Sequence, residues 1–187
     1  MAIKHILIDQ DGVLADFVGG AFDMHGRSDL KNKPYPSGVY EVAEVLGITD
    51  DEFWHPLNAS GHLFWENLNP LPWVKELTSL ANEFASWTIC TKPSNDPFCA
   101  AGKIIWLKRQ FGSDFNRYIL AKHKHHMARH DHVLIDDFDR NVNDFRDNGG
   151  IGILFPQPWN SNNGLCGDRI GYVREELERV RNGIHLR

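Results

Sequence analysis

Apolar residues in this chain come in short runs that stop at polar or acidic positions, and the runs alternate with stretches of helical spacing. Residues 3–8 read as a strand buried on both faces, as inside a parallel sheet. That run ends at Asp9-Gln10-Asp11-Gly12, where the glycine permits a sharp turn. Pro72 opens an amphipathic helix with Trp73, Val74, Leu77, Leu80, Ala81 and Phe84 on one face. A second strand over 86–90 ends at Thr91-Lys92-Pro93-Ser94. Pro97 starts the next helix, whose expected inward face is Phe98, Ala101, Ile104, Ile105, the stem of Lys108 and Phe111. Residues 118–120 form a third strand, and 132–135 a fourth that ends at Asp136-Asp137. A helix around Asn141 to Arg146 leads through Gly149-Gly150 to a fifth strand over 151–155. A loop over 156–169 precedes a last helix carrying Val173, Leu177, Val180 and Ile184. Strands alternating with helices predict an α/β fold: a Rossmann-like, doubly wound parallel sheet with right-handed crossovers.

Residues 18–70 break this alternation. They hold Phe22, Tyr35, Tyr40, Phe53, Trp54, Phe64 and Trp65 among four prolines. Val39, Val42, Ala43 and Leu46 recur at helical spacing before Gly47, a C-cap candidate. Thr49-Asp50-Asp51-Glu52 has the form of a helix start. The segment therefore reads as a small helical insertion between the first strand and the first crossover helix.

Composition narrows the function. The formal charge of −5 argues against a general nucleic-acid binder, so nucleic acid is not the expected partner. Three cysteines without a Cys-x-x-Cys pair suggest free thiols in a reducing compartment. No apolar run reaches the length of a membrane span, and the expected location is cytoplasmic. A homodimer is left open.

Candidate chemistry lies at the strand ends. Asp9 and Asp11 sit where open α/β sheets bind ligands, so one acid can attack while the other moves a proton. Read singly, Thr91 is a strand-end hydroxyl, Asp136-Asp137 a helix-capping pair, and Lys122 and Lys124 surface lysines. Their order along the chain changes that reading. Asp9-Gln10-Asp11-Gly12-Val13 resembles motif I of the haloacid dehalogenase (HAD) superfamily of phosphotransferases, Asp-x-Asp-Gly-(Thr/Val). Asp-Gly-Val-Leu-Ala-Asp-Phe over 11–17 resembles more narrowly the 5'(3')-deoxyribonucleotidases. Thr91, Lys124 (with Lys122 as its rival) and Asp136-Asp137 match motifs II, III and IV in order.

The resemblance implies a HAD core over 1–17 and 71–187, with 18–70 as a small helical cap. It implies Asp9 as nucleophile, Asp11 as general acid/base, and Thr91 and Lys124 as phosphate-binding groups. Mg²⁺ would be held by Asp9, the Asp11 backbone carbonyl and Asp137, with Asp136 behind them or bound through water. Phe17, eight residues after Asp9, falls where the nucleotidases stack a substrate base, and Phe64-Trp65-Glu66-Asn67-Leu68 resembles their stretch returning from cap to core, which makes Trp65 a second base-contacting candidate. The implied activity is Mg²⁺-dependent hydrolysis of nucleoside monophosphates. The alternatives are a sugar phosphate, a nucleic-acid 3'-phosphate, or a non-catalytic nucleotide-binding module. Lys92 departs from the nucleotidases' usual Thr-Ser-Pro. His123, His125, His126, His130 and His132 invite a zinc reading, but their spacing is irregular and no cysteine joins them. A cationic rim to the phosphate pocket is the reading preferred for them. Asn141 is expected to stabilise the turn after motif IV.

Overall fold

The computed structural model describes residues 2–184. Among them five parallel strands form one sheet: β1 (His5–Ile8), β2 (Ser86–Thr91), β3 (Tyr118–Leu120), β4 (His132–Asp136) and β5 (Ile151–Leu154). Their order is β3-β2-β1-β4-β5, so β1 is central and the crossovers leave it in both directions. Ile8 lies abreast of Ile89 on β2 and Ile135 on β4. The carboxyl ends of three strands are thereby aligned beside one crevice, the switch point where such sheets hold ligands.

Alternation along the strands sorts side chains into two cores. Ile6, Ile8, Ile89, Val133 and Ile135 pack with apolar residues of α5 (Val74–Phe84), α6 (Pro97–Phe111) and α8 (Arg169–Arg181). Leu7, Cys90 and Leu134 form the other core with Phe145 of α7 (Asp139–Asp147). The paired part of the first strand begins at His5, later than residue 3, and the first crossover helix begins at Val74. Ile184 lies past the end of α8 and is exposed, so it does not extend that helix's apolar face. Cys90, Cys99 and Cys166 are free thiols.

Between β1 and α5 stand α1 (Phe17–Met24), α2 (Val42–Leu46), α3 (Asp50–Ala59) and α4 (His62–Glu66). The expected punctuation is present. Gly47 ends α2 at φ 69°, and Thr49 with Glu52 closes a reciprocal capping box on α3. The segment reaches the far side of the crevice through Tyr40, whose ring stacks on Phe138 at 4.0 Å, and through the Gly38 N–H, which donates to the Pro158 carbonyl.

The inward face of α6 departs from the sequence expectation. Cys99, Gly102, Lys103, Trp106 and Leu107 turn inward, while Phe98, Ala101 and Lys108 are exposed. Both faces of this helix carry apolar residues, and contact with α4 decides between them. A Cβ on Gly102 would lie 2.5 Å from the His62 carbonyl oxygen and 2.6 Å from Trp65 Cβ, so only glycine allows the approach. Arg109 then donates to the Glu66 carbonyl and carboxylate, and the Trp106 indole donates to the Leu68 carbonyl.

Candidate active site

Asp9 follows β1 directly, and its backbone N–H still donates to the Ile135 carbonyl at 2.9 Å. The carboxylate Oδ1 accepts from the Gln10 N–H and lies 2.7 Å from Lys124 Nζ. Lys124 is buried and also lies 2.5 Å from Asp136 Oδ2. Burial alone would lower its pKa, but Asp136 and Asp9 overcome that and raise it, so it remains an ammonium. Asp136 is fully buried and saturated. Its Oδ1 accepts from the Phe138 N–H, its Oδ2 from Lys124, and the Asn141 amide bonds both oxygens. Asn141 thus stabilises the turn after β4 by holding an acid.

Asp137 accepts the Trp159 indole N–H on Oδ2 at 2.7 Å, and its pKa is raised well above the ordinary range by burial and then by Asp136 and Asp9. Burial likewise raises Asp136. Asp9, Asp136 and Asp137 each offer a carboxylate oxygen within 4.8 Å of the others. Among the described residues this is the one group of three His, Cys, Asp or Glu side chains arranged to hold a metal; His123, His125 and His126 cluster by ring contact without such an arrangement.

Asp11 lies beyond the turn and points to a different cation. Its Oδ2 accepts from Lys103 Nζ, and the same ammonium donates to Thr91 Oγ1 at 2.9 Å and sits 5.1 Å over the Trp65 ring. The Asp11 side chain keeps 24% of its exposure, and Oδ1 is buried without a hydrogen-bond partner among the described residues. Burial raises its pKa, Lys103 opposes that, and the Asp9 charge adds to it. Gly12 makes the turn at φ +72°, and a Cβ there would lie 2.1 Å from Asp137 Oδ2. The Gly12 carbonyl accepts from the Gln157 amide, and Asn160 holds the Asp137 carbonyl. The Pro/Asn/Gly-rich loop after β5 is therefore part of the site.

These groups open onto a cavity of about 640 Å³ lined by Asp9, Asp11, Thr91, Lys124 and Asp137 at one end and by Phe17, Tyr40, Trp54 and Trp65 elsewhere. Asp136 is not on its wall. Trp65 is 2% exposed, with one face stacked on Phe17 at 5.7 Å. Phe17 and Trp54 on the same wall are half-buried, more open than Trp65. Lys122, the rival to Lys124, is exposed and donates to the Pro93 and Ser94 carbonyls and to Asn95, so it holds the loop after β2 and not the acids.

Sequence reasoning missed Lys103, Trp54, Tyr40, Gln157, Trp159 and Asn160 as site residues. For Lys103 a signal existed: Cys99, Lys103 and Trp106 recur at i, i+4 and i+7, the spacing of one buried helix face.

The family model described as 5' nucleotidase, deoxy (pyrimidine), cytosolic type C protein matches residues 2–166. The chain belongs to this family. Mitochondrial 5'(3')-deoxyribonucleotidase of Homo sapiens is 32% identical to this nucleotidase-family chain over 148 residues, 71% of the chain and 61% of that protein. The chain thus spans about three fifths of the length of the curated relatives it matches. Among solved structures, a HAD family hydrolase of Deinococcus radiodurans with bound phosphate and sodium superposes with a TM-score of 0.58 at 12% identity, covering 99% of both chains. The HAD hydrolase YfnB of Bacillus subtilis, bound to magnesium, gives 0.53 at 13% identity over 83% of this chain and 87% of that one. The fold of this nucleotidase-family member is that of the HAD hydrolases. Among the described residues, no helix is long and apolar enough to cross a membrane.

Proposed function

We propose that this chain is a Mg²⁺-dependent phosphatase that hydrolyses (deoxy)nucleoside monophosphates through an aspartyl-phosphate on Asp9. The observation that carries the proposal is the separate holding of two neighbouring acids. Lys124 pairs Asp9 while Lys103 pairs Asp11, on the wall of one cavity. Two carboxylates with different cations and different exposure suit different roles, attack for one and proton transfer for the other.

Asp9 Oδ1 is occupied by Lys124 and the Gln10 N–H, so in this reading Oδ2 attacks phosphorus. The bond from phosphorus to the sugar oxygen breaks, and Asp11 gives that oxygen its proton. Water then attacks the aspartyl-phosphate and passes a proton to Asp11, and phosphate leaves with Asp9 restored. The raised pKa of Asp11 suits a group that must begin protonated. Thr91 donates to a phosphate oxygen, and Lys124 offsets the charge that Asp9 and phosphate bring together.

The acids fit a divalent cation. Asp136 and Asp137 are buried beside Asp9 with raised pKa, an arrangement in which unneutralised negative charge is costly. Asp9, the Asp11 carbonyl and Asp137 would hold Mg²⁺, with the saturated Asp136 orienting Lys124 behind them. When bound, Mg²⁺ supplies the positive charge that lets a phosphate dianion approach a carboxylate. The relatives' name supports the nucleotidase part of this reading, and the magnesium bound in YfnB supports the metal part.

Residues 18–70 act as the cap over the 1–17 and 71–187 core and bring Phe17's neighbours and Tyr40 to the pocket. The base stacks on Phe17, and Trp54 joins Trp65 as a flanking wall. The test is phosphate release over deoxynucleotides, ribonucleotides, bare sugar phosphates, 3'-phosphorylated oligonucleotides and p-nitrophenyl phosphate, with Mg²⁺ or a chelator. Nucleoside monophosphates are turned over best, and the chelator stops turnover. A base–aromatic stack is worth roughly 1–3 kcal/mol, so Phe17→Ala costs about tenfold or more in kcat/KM for a nucleotide and little for p-nitrophenyl phosphate. Equal losses on both would remove the base from this pocket.

A further inference from the structure

A second cavity, about 370 Å³, adjoins the first. The two share Lys92, Asn95, Lys122, Lys124, Phe138 and Asn141 as wall, so they are immediate neighbours. Phe17, Trp54 and Trp65 line only the larger one, and His123, His125 and Arg140 only the smaller. Lysine, arginine and histidine side chains line this annex against a single carboxylate, Asp144.

The charge there is unevenly spent. Lys124 is committed to Asp9 and Asp136. Arg140 faces Asp144 at 3.9 Å with most of its side chain in solvent, a weak pair. Lys122 donates only to neutral oxygens, those of Pro93, Ser94 and Asn95, so its bonds are satisfied while its charge is not. Lys92 is exposed beside it. In a chain of net charge −5, this concentration of uncompensated cations opens onto the crevice that holds the scissile phosphate. A monophosphate engaged by Thr91 and Lys124 with its base on Phe17 leaves the annex unused.

We infer that the annex binds a second phosphate of the same small substrate, so that the preferred ligand class is a nucleoside bisphosphate, with one phosphate at Asp9 and the other among Lys92, Lys122, His125 and Arg140. The inference rests on the nucleotide reading above and narrows it. Lysine and arginine act here as phosphate donors, and the imidazoles add N–H donors to the same wall. Charge attraction through an open mouth also speeds capture of a polyanion, an effect that salt weakens.

The test is calorimetric binding of a deoxynucleoside 5'-monophosphate and of its 3',5'-bisphosphate, in excess Mg²⁺, to the Asp9→Asn chain, which cannot turn over. The bisphosphate binds about tenfold or more tightly, and adding Arg140→Ala with His125→Ala removes most of that ratio while the monophosphate affinity stays within about twofold. Equal affinities, or a ratio that survives the added substitutions, would overturn the annex. The parent chain assayed for phosphate release separates the two claims. A chain that hydrolyses nothing but keeps the binding ratio loses the phosphatase reading and retains the annex. A chain that hydrolyses monophosphates with equal affinities keeps the first and loses the second. A 3'-phosphorylated oligonucleotide that outcompetes the bisphosphate would overturn the choice of a small ligand.

Discussion

Lys103 and Lys124 are both buried ammonium groups, and their partners differ. Lys124 has two carboxylates, whereas Lys103 has one carboxylate, one hydroxyl and the face of Trp65. Removing one member of a buried pair commonly costs 3–5 kcal/mol, so methionine, which keeps most of the stem, is a better probe of Lys103 than alanine. The charge of Lys103 lowers the pKa of Asp11 against the effect of burial. Lys103→Met therefore raises the Asp11 pKa further. An acid that must be protonated to assist the leaving group then stays active to higher pH, and the alkaline limb of kcat/KM for a nucleotide moves upward. Turnover at neutral pH falls by about tenfold or more, because in the proposed mechanism Asp11 no longer gives up its proton readily to the leaving oxygen in the first step, and such assistance is worth about 10²–10⁴. A pH profile that keeps its shape while activity falls would assign Lys103 a packing role only.

The turn after β1 is the element on which the site depends. Gly12 at φ +72° brings the chain against Asp137, with 2.1 Å between Asp137 Oδ2 and the place of a missing Cβ. Gly12→Ala meets both a backbone penalty, about 1–3 kcal/mol, and that collision. Melting temperature then drops by several degrees, and the Mg²⁺ concentration that restores stability rises because Asp137 has been displaced. Calorimetry with a Mg²⁺ titration reads both, and an unchanged Mg²⁺ requirement would exclude Asp137 as a ligand. This turn was legible in the sequence because an apolar run, two acids and a glycine stand together. The strands and the Gly47 and Thr49 caps were legible for the same local reason. The face of α6 was not. A lysine reads as solvent-facing until its partners are known, and Asp11 and Thr91 are distant in sequence. Trp159 and Gln157 escaped for a similar reason, since a loop without periodicity gives no sign of which side chains fold back onto β1 and β4.

At the scale of the molecule, strand order turns four short motifs into one site. β2 and β4 flank β1 in register, so Asp9 and Asp136 lie at one level and Thr91 one residue beyond it, although they are scattered from residue 9 to residue 136. The helical segment before α5 closes the other side through Tyr40 on Phe138 and through the packing of α4 on α6, which also points Lys103 inward. The central claim is that this assembly makes Asp9 a nucleophile. Rapid acid quench after mixing enzyme, Mg²⁺ and a ³²P-labelled deoxynucleoside monophosphate tests it most directly. Label should appear on the peptide containing Asp9 within the first turnover, be released by hydroxylamine as an acyl phosphate, and be absent from Asp9→Asn. Label on another residue, or turnover by Asp9→Asn within tenfold of the parent, would contradict it.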